Sequence, residues 1–246
     1  MAVLIVGASG ATGRQLVEQL IKRGEKVKLI VRSPEKLPES WKNNDLVLII
    51  QASVLDIKPK DMEAYVEDCY AVASCLGHNI NLKGIYGKPR LLVTDALKFI
   101  CQSIKKNTSV NQKVKFVLMN TTGNQNRDLN EPISKGQKIV IGLVRLLVPP
   151  QVDNENAADY LRIDIGQKDD KIEWTAVRPD GLLDEDQVTE YEVHPSPIRS
   201  AIFDAGTTSR INVGHFMADL ITNSDLWNKW KGQMPVIYNK EAPSSK

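Results

Sequence analysis

The 246-residue chain has only three cysteines, Cys69, Cys75 and Cys101. An odd count with neither C-x-x-C nor Cys/His ligand spacing excludes a disulfide framework and a zinc-ligand set, and points to reduced, mostly buried thiols of an intracellular protein. An excess of charge is missing as well. The 32 basic and 30 acidic residues leave a net charge of +2, which gives no electrostatic argument for nucleic acid or for an anionic membrane as partner. No apolar run reaches the roughly 18 residues of a membrane span. Met1-Ala2 leads straight into an apolar strand, so no signal peptide is expected. Internal repeats and long linkers are also absent. The expectation is a cytoplasmic protein with a small-molecule substrate and no nucleic-acid or membrane partner. At 42% hydrophobic and 25% charged residues, the composition suits one domain over residues 1–246.

What is present is concentrated in the first residues. Ala2 to Val6 reads as a buried parallel strand, and Arg14 to Arg23 carries Leu16, Val17, Leu20 and Ile21 at helix spacing. Between them stands Gly7-Ala8-Ser9-Gly10-Ala11-Thr12-Gly13. In a strand–turn–helix the free amides and the positive end of the helix dipole point at the turn, and glycines let a pyrophosphate approach the backbone. The spacing is G-x-x-G-x-x-G, so the turn predicts a dinucleotide site. A second strand, Lys26 to Val31, ends in Arg32-Ser33-Pro34-Glu35-Lys36. An NAD-selective site places an acid about 20 residues past the glycines, whereas an arginine there accommodates a 2′-phosphate. Arg32, with Lys36 nearby, therefore favours NADP over NAD.

Asp45 to Ile50, an almost continuous apolar run, is predicted as a third buried strand, with further strands over Ala71 to Leu76, Lys113 to Met119 and Ile172 to Val177 and shorter ones at Glu190 to Val193 and Pro235 to Tyr238. Helices are predicted over Pro59 to Val66, Leu91 to Ile104, Asn156 to Ile165 and Val213 to Thr222, with Asn79 to Pro89 a loop. A further apolar helix should begin near Ser134 and stop before Pro149-Pro150. Its roles are a pocket lid, a dimer face or a membrane-surface contact, and a core or subunit-packing helix is the plainer reading. Alternating strands and helices predict an α/β, Rossmann-type doubly wound parallel sheet with helices on both faces. The cofactor half spans about residues 1–123. Substrate-side elements fall at about 124–160 and 180–240, including a small C-terminal section, and the tail Glu241 to Lys246 should be mobile.

These residues resemble the atypical short-chain dehydrogenase/reductases, especially the NmrA-like and biliverdin-reductase-B/flavin-reductase-like branch. The likeness rests on the glycine stretch, on Val31-Arg32-Ser33, Ala52-Ser53-Val54-Leu55-Asp56, Leu76-Gly77, Asn120-Thr121-Thr122 and Trp174-Thr175-Ala176-Val177-Arg178-Pro179, and on Val213-Gly214-His215-Phe216. The resemblance implies that Ser9, Gly10, Ala11 and Thr12 contact the pyrophosphate and that Arg32 holds the 2′-phosphate; Gly7 and Gly13 are counted with them as cofactor-binding residues. It places Ser53 and Val54 against the adenine, Leu76 and Gly77 against the ribose, and Thr121 and Pro179 beside the nicotinamide. Ser53 stands where the family usually has aspartate. The Tyr-x-x-x-Lys pair of typical members is missing, since Asp164 follows Tyr160.

Loss of that pair argues against ordinary alcohol dehydrogenase chemistry, because its lysine lowers the tyrosine pKa. Conjugated acceptors such as flavins and quinones can take their proton from solvent, so hydride transfer to them survives. Thr121 is a candidate hydrogen-bond donor to an acceptor carbonyl and Tyr160 a weaker candidate proton donor. His78 reads as a solvated loop histidine, and no metal-ligand set is evident. The expected function is an NADPH-dependent oxidoreductase. The alternative is a non-catalytic NADP(H)-binding redox sensor or regulatory protein, with a homodimer or a regulatory protein partner left open.

Overall fold

The computed structural model describes residues 1–78, 81–107, 112–131 and 133–240, and only the backbone of residues 82 and 83. The opening apolar run forms β1 (Ala2–Val6), with all five residues buried. Successive side chains of a strand point to opposite faces. Ala2, Leu4 and Val6 accordingly enter the core on one face of the sheet, while Val3 and Ile5 enter the core on the other. A strand so placed must be apolar throughout, as central strands of a helix-covered parallel sheet are.

β1 pairs in parallel with β2 (Val27–Val31) and with β4 (Cys69–Ser74). Beyond β2, through the short helix α2 (Glu39–Lys42), lies β3 (Val47–Gln51), and beyond β4 lie β5 (Val114–Met119), β6 (Ile172–Pro179), β10 (Val236–Asn239) and β8 (Tyr191–His194). The order of this eight-stranded sheet is β3-β2-β1-β4-β5-β6-β10-β8. Of these pairs only β10 with β8 is antiparallel. A separate parallel pair joins β7 (Gly181–Leu183) to β9 (Thr207–Ser209). One face is covered by α1 (Ala11–Lys22), α8 (Arg210–Thr222) and α9 (Ser224–Trp230), which bury Leu16, Phe216 and Trp227. The other is covered by α3 (Pro59–Val66), α5 (Leu92–Lys106) and α7 (Pro149–Asp159), which bury Met62, Leu97 and Ala157. This is a Rossmann-like, doubly wound α/β fold. Its strand order reverses between β1 and β4, where the connections diverge and leave a crevice at the carboxyl ends.

Several sequence expectations are corrected. β3 is not a buried strand: it is the sheet's edge, and Leu48 is 54% exposed. β4 begins at Cys69 and ends at Ser74, so Leu76 lies beyond it. Pro149 and Pro150 do not merely stop the preceding helix. They open α7, where a missing amide is tolerated, and α7 runs into a π-helical turn, Tyr160–Ile165. The predicted loop over 79–89 contains a short helix, α4 (Leu82–Tyr86); its residues 79 and 80, like the tail 241–246, lie outside the described residues. The apolar helix is α6 (Lys135–Leu147), capped by Ser134, whose hydroxyl accepts from the Gln137 amide at 3.1 Å. It is not a core helix, because Ile141 is its one buried residue. Hydrophobic periodicity locates an apolar face without saying whether a neighbour covers it.

Candidate cofactor site

At the end of β1 the backbone of Gly7 has φ +81°, and a Cβ there would stand 2.4 Å from the Cys75 carbonyl carbon. A Cβ on Gly13 would fall 2.1 Å from the Gly7 carbonyl oxygen. These two contacts let α1 start directly above the strand end and let the segment after β4 pass close beside it. Gly10 is the N-cap of α1, without a side chain to cap the helix, and no acid stands in the first turn. The leading amides of α1, with the positive end of its dipole, are thus left to an external anion.

These elements enclose a cavity of about 200 Å³. Gly7, Ser9 and Gly10 line it from the turn, and Val31 and Arg32 line it from the end of β2. Ser53 and Val54 close a third side, Cys75, Leu76 and Gly77 a fourth, and Pro89 and Leu92 the rim. The cavity therefore brings together eight of the predicted cofactor residues. Of the others, Ala11, Thr12 and Gly13 form the first turn of α1, with Thr12 and Gly13 buried. Lys36 is exposed in a 3-10 turn, Pro34–Lys36. Burial pushes the Cys75 thiol up to about 12, which makes it a poor nucleophile.

A second cavity, of about 290 Å³, shares Arg32, Gly77, Pro89 and Leu92 with the first and adds His78, Asn81, Gly84 and Lys88. Its wall is tied down from below. His78 is not a solvated loop residue: its side chain is 6% exposed, and its Nε2 lies 2.7 Å from Asp153 Oδ2, its Nδ1 3.1 Å from the Gly84 carbonyl. Asp153 is fully buried and accepts from the Val93 and Thr94 amides at 2.8 and 2.9 Å, so it also caps α5.

Thr121 and Pro179 sit at the carboxyl ends of β5 and β6, with the Thr122 amide donating to the Pro179 carbonyl at 3.1 Å. Neither they nor any residue of α6 lines the two cavities. The Thr121 hydroxyl oxygen accepts from the Gly123 amide at 3.2 Å, and among the described residues its proton has no acceptor. Tyr160 packs against the core beneath α5 and lines neither cavity. Lys98 Nζ lies 5.4 Å from the Tyr160 ring centre, and burial raises the hydroxyl pKa to about 12.

Sequence reasoning passed over Arg14. Its Nε donates to the Ser9 carbonyl at 3.3 Å and its Nη2 to the Lys36 carbonyl at 2.6 Å, tying the glycine turn to the 34–36 turn. The available signal was a basic residue directly after the third glycine. Arg178 is fully buried and all five of its N–H groups are used. Nε donates to the Met234 carbonyl, Nη1 to the Asn124 carbonyl and Glu131 Oε2, and Nη2 to Glu131 Oε1 and the Pro195 carbonyl, at 2.7 to 3.2 Å. The Arg178-Pro179 pair therefore anchors the end of β6 by its arginine.

Three comparisons place this geometry among known proteins. A family model described as NAD(P)H-binding matches residues 7–224. An uncharacterised chloroplastic protein of Arabidopsis thaliana is 39% identical over 75 residues, which is 30% of this chain and 27% of that protein's length. A structure described as an NAD-dependent epimerase/dehydratase, from Bacillus halodurans, superposes with a TM-score of 0.71 at 20% identity, covering 99% of this chain and 96% of that one. A Veillonella parvula short-chain dehydrogenase/reductase in complex with NADP gives 0.68 at 15% identity, covering 99% and 95%. A Streptococcus pneumoniae protein described as an NADH-flavin reductase gives 0.66 at 17% identity, covering 98% and 100%. At such identities the likeness is one of fold.

Proposed function

The chain belongs to the NAD(P)H-binding family, and from that premise we propose that it is an NADPH-dependent oxidoreductase that passes a hydride to a small conjugated acceptor such as a flavin or a quinone. The observation that carries the reading is the cavity itself: an uncapped helix N-terminus and a glycine cradle on one side, Arg32 at the end of β2 on the other. These residues fit a dinucleotide with a 2′-phosphate. Gly7 and Gly13 occupy positions a Cβ would fill, and the α1 amides match a pyrophosphate. Arg32 presents a planar fork to a dianion, with no acid in its place to reject one.

The bound nicotinamide supplies the hydride chemistry. The chain's part is to bind, orient and exclude water. Ser53 and Val54 would hold the adenine, and Leu76 and Gly77 the ribose. Thr121 would offer its hydroxyl proton to the acceptor's carbonyl oxygen, while Pro179 shields that side. Tyr160 takes no part in this reading, since it lines neither cavity and partial burial holds its hydroxyl proton up to about 12. Acceptors that stabilise the added electrons by conjugation can be protonated by solvent, which suits a site without a tyrosine–lysine pair.

The test combines binding with turnover. NADPH and NADP should raise the melting temperature more than NADH and NAD at equal concentration, because a ligand of the folded state alone stabilises by mass action. Arg32→Glu should remove most of the NADP shift and leave the NAD shift nearly intact; an equal loss of both would end the 2′-phosphate assignment. NADPH absorbance should fall when a flavin or quinone is added. Binding without consumption of NADPH across such acceptors would replace the enzyme by a redox sensor.

A further inference from the structure

Helix α6 turns its apolar side outward. Ile139, Leu143, Leu146 and Leu147 are between 53% and 78% exposed, at spacing i, i+4, i+7 and i+8 that sets them on one side of the helix. Two aromatic rings mark the ends of this stripe. Phe203, 64% exposed, lies 3.5 Å from where a Cβ on Gly136 would stand. Tyr86, 52% exposed, donates its hydroxyl to the Leu147 carbonyl at 3.0 Å. Charge on the helix is of one sign, with Lys135, Lys138 and Arg145 and no acid. Arg145 is drawn inward to Glu155 at 2.8 Å, whereas both lysines are exposed.

We propose that α6 is a membrane-surface helix, its apolar side entering the headgroup boundary of an anionic lipid layer with Lys135 and Lys138 at the level of the phosphates. An exposed apolar stripe, aromatic rings at its margins and charged residues that are all basic are the three properties this helix combines, as membrane-surface helices do. At thirteen residues, or about 20 Å, α6 lies on a bilayer and cannot cross it. Charge separates this partner from a second copy of the chain. A two-fold contact uses the same surface on both copies, and α6 carries no acid that could pair with the other copy's lysines. An anionic surface offers the opposite sign. The whole-chain balance of +2 conceals this, because α6 itself carries three basic residues and no acid. The inference is independent of the redox reading.

Vesicle flotation with the full chain tests it. Wild type should float with phosphatidylcholine vesicles carrying about one-third phosphatidylglycerol and much less with phosphatidylcholine alone, with binding weakened by salt. Ile139→Glu with Leu146→Glu should cut binding at least about tenfold, since two apolar side chains leave the lipid. Lys135→Glu with Lys138→Glu should abolish the preference for anionic lipid. Light scattering of the same samples supplies the competing outcome. Wild type that fails to float with the anionic vesicles overturns the proposal. So does a wild-type dimer that the Glu substitutions convert to a monomer, which would assign the face to a second copy.

Discussion

Gly13 shows how much a single hydrogen in place of a methyl can decide. With its Cβ position 2.1 Å from a backbone oxygen, Gly13→Ala must push α1 off the end of β1. A loss of about 1 to 3 kcal/mol of stability, the usual cost of overpacking, is expected together with loss of the NADP(H) thermal shift. Urea unfolding and the melting curves check both; an alanine variant that keeps stability and shift would show the turn has room to spare. The three glycines were legible because their spacing between a strand and a helix is a local property. Arg14 was not, because its partner is the Lys36 carbonyl, and only the path of the intervening chain brings that atom within 2.6 Å. His78 was misread for a related reason: Asp153 is 75 residues away in sequence.

Among the elements, β6 is fastened by Arg178 and Glu131. Glu131 comes from the loop after β5 and is 2% exposed, so removing its charge leaves the guanidinium buried and half-paired. Glu131→Ala should destabilise by about 3 to 5 kcal/mol, measured by urea unfolding. Adding Arg178→Met should recover part of that loss; a strictly additive double variant would mean the pair is not coupled. In sequence the arginine sits in an apolar strand and the glutamate in a polar loop, and neither position announces the other. The strands and helices themselves were legible because the sheet is buried on both faces and writes itself as continuous apolar runs. α6 carried the same signal with the opposite meaning. The short α9 and the β7–β9 pair left no periodic trace, being too brief for one.

At the scale of the molecule, acid is the condition that should loosen it. Partial burial pushes Asp169 up, but Lys105 at 2.6 Å and the Lys171 and Ile172 amides outweigh it, so its pKa lies below the usual carboxylate value. Glu173 follows the same balance, with Trp227 and Lys231 donating at 2.7 and 3.1 Å. Both pin the start of β6 to flanking helices. A carboxyl whose folded pKa is depressed stabilises fully above its unfolded value and loses that contribution as pH falls through the folded one. The melting temperature should therefore drop below about pH 5. Asp169→Asn with Glu173→Gln should flatten that slope while lowering the plateau at neutral pH; an unchanged slope would place the acid sensitivity elsewhere. The sheet has a further consequence for traffic. Because β1 gives alternate residues to two cores, loosening it would strip both apolar layers together. The strands cannot part to let a nucleotide in or out. Entry and exit fall to segments that hold no share of either core, the turn at 32–36 and residues 84–89, which form the doorway rather than the walls.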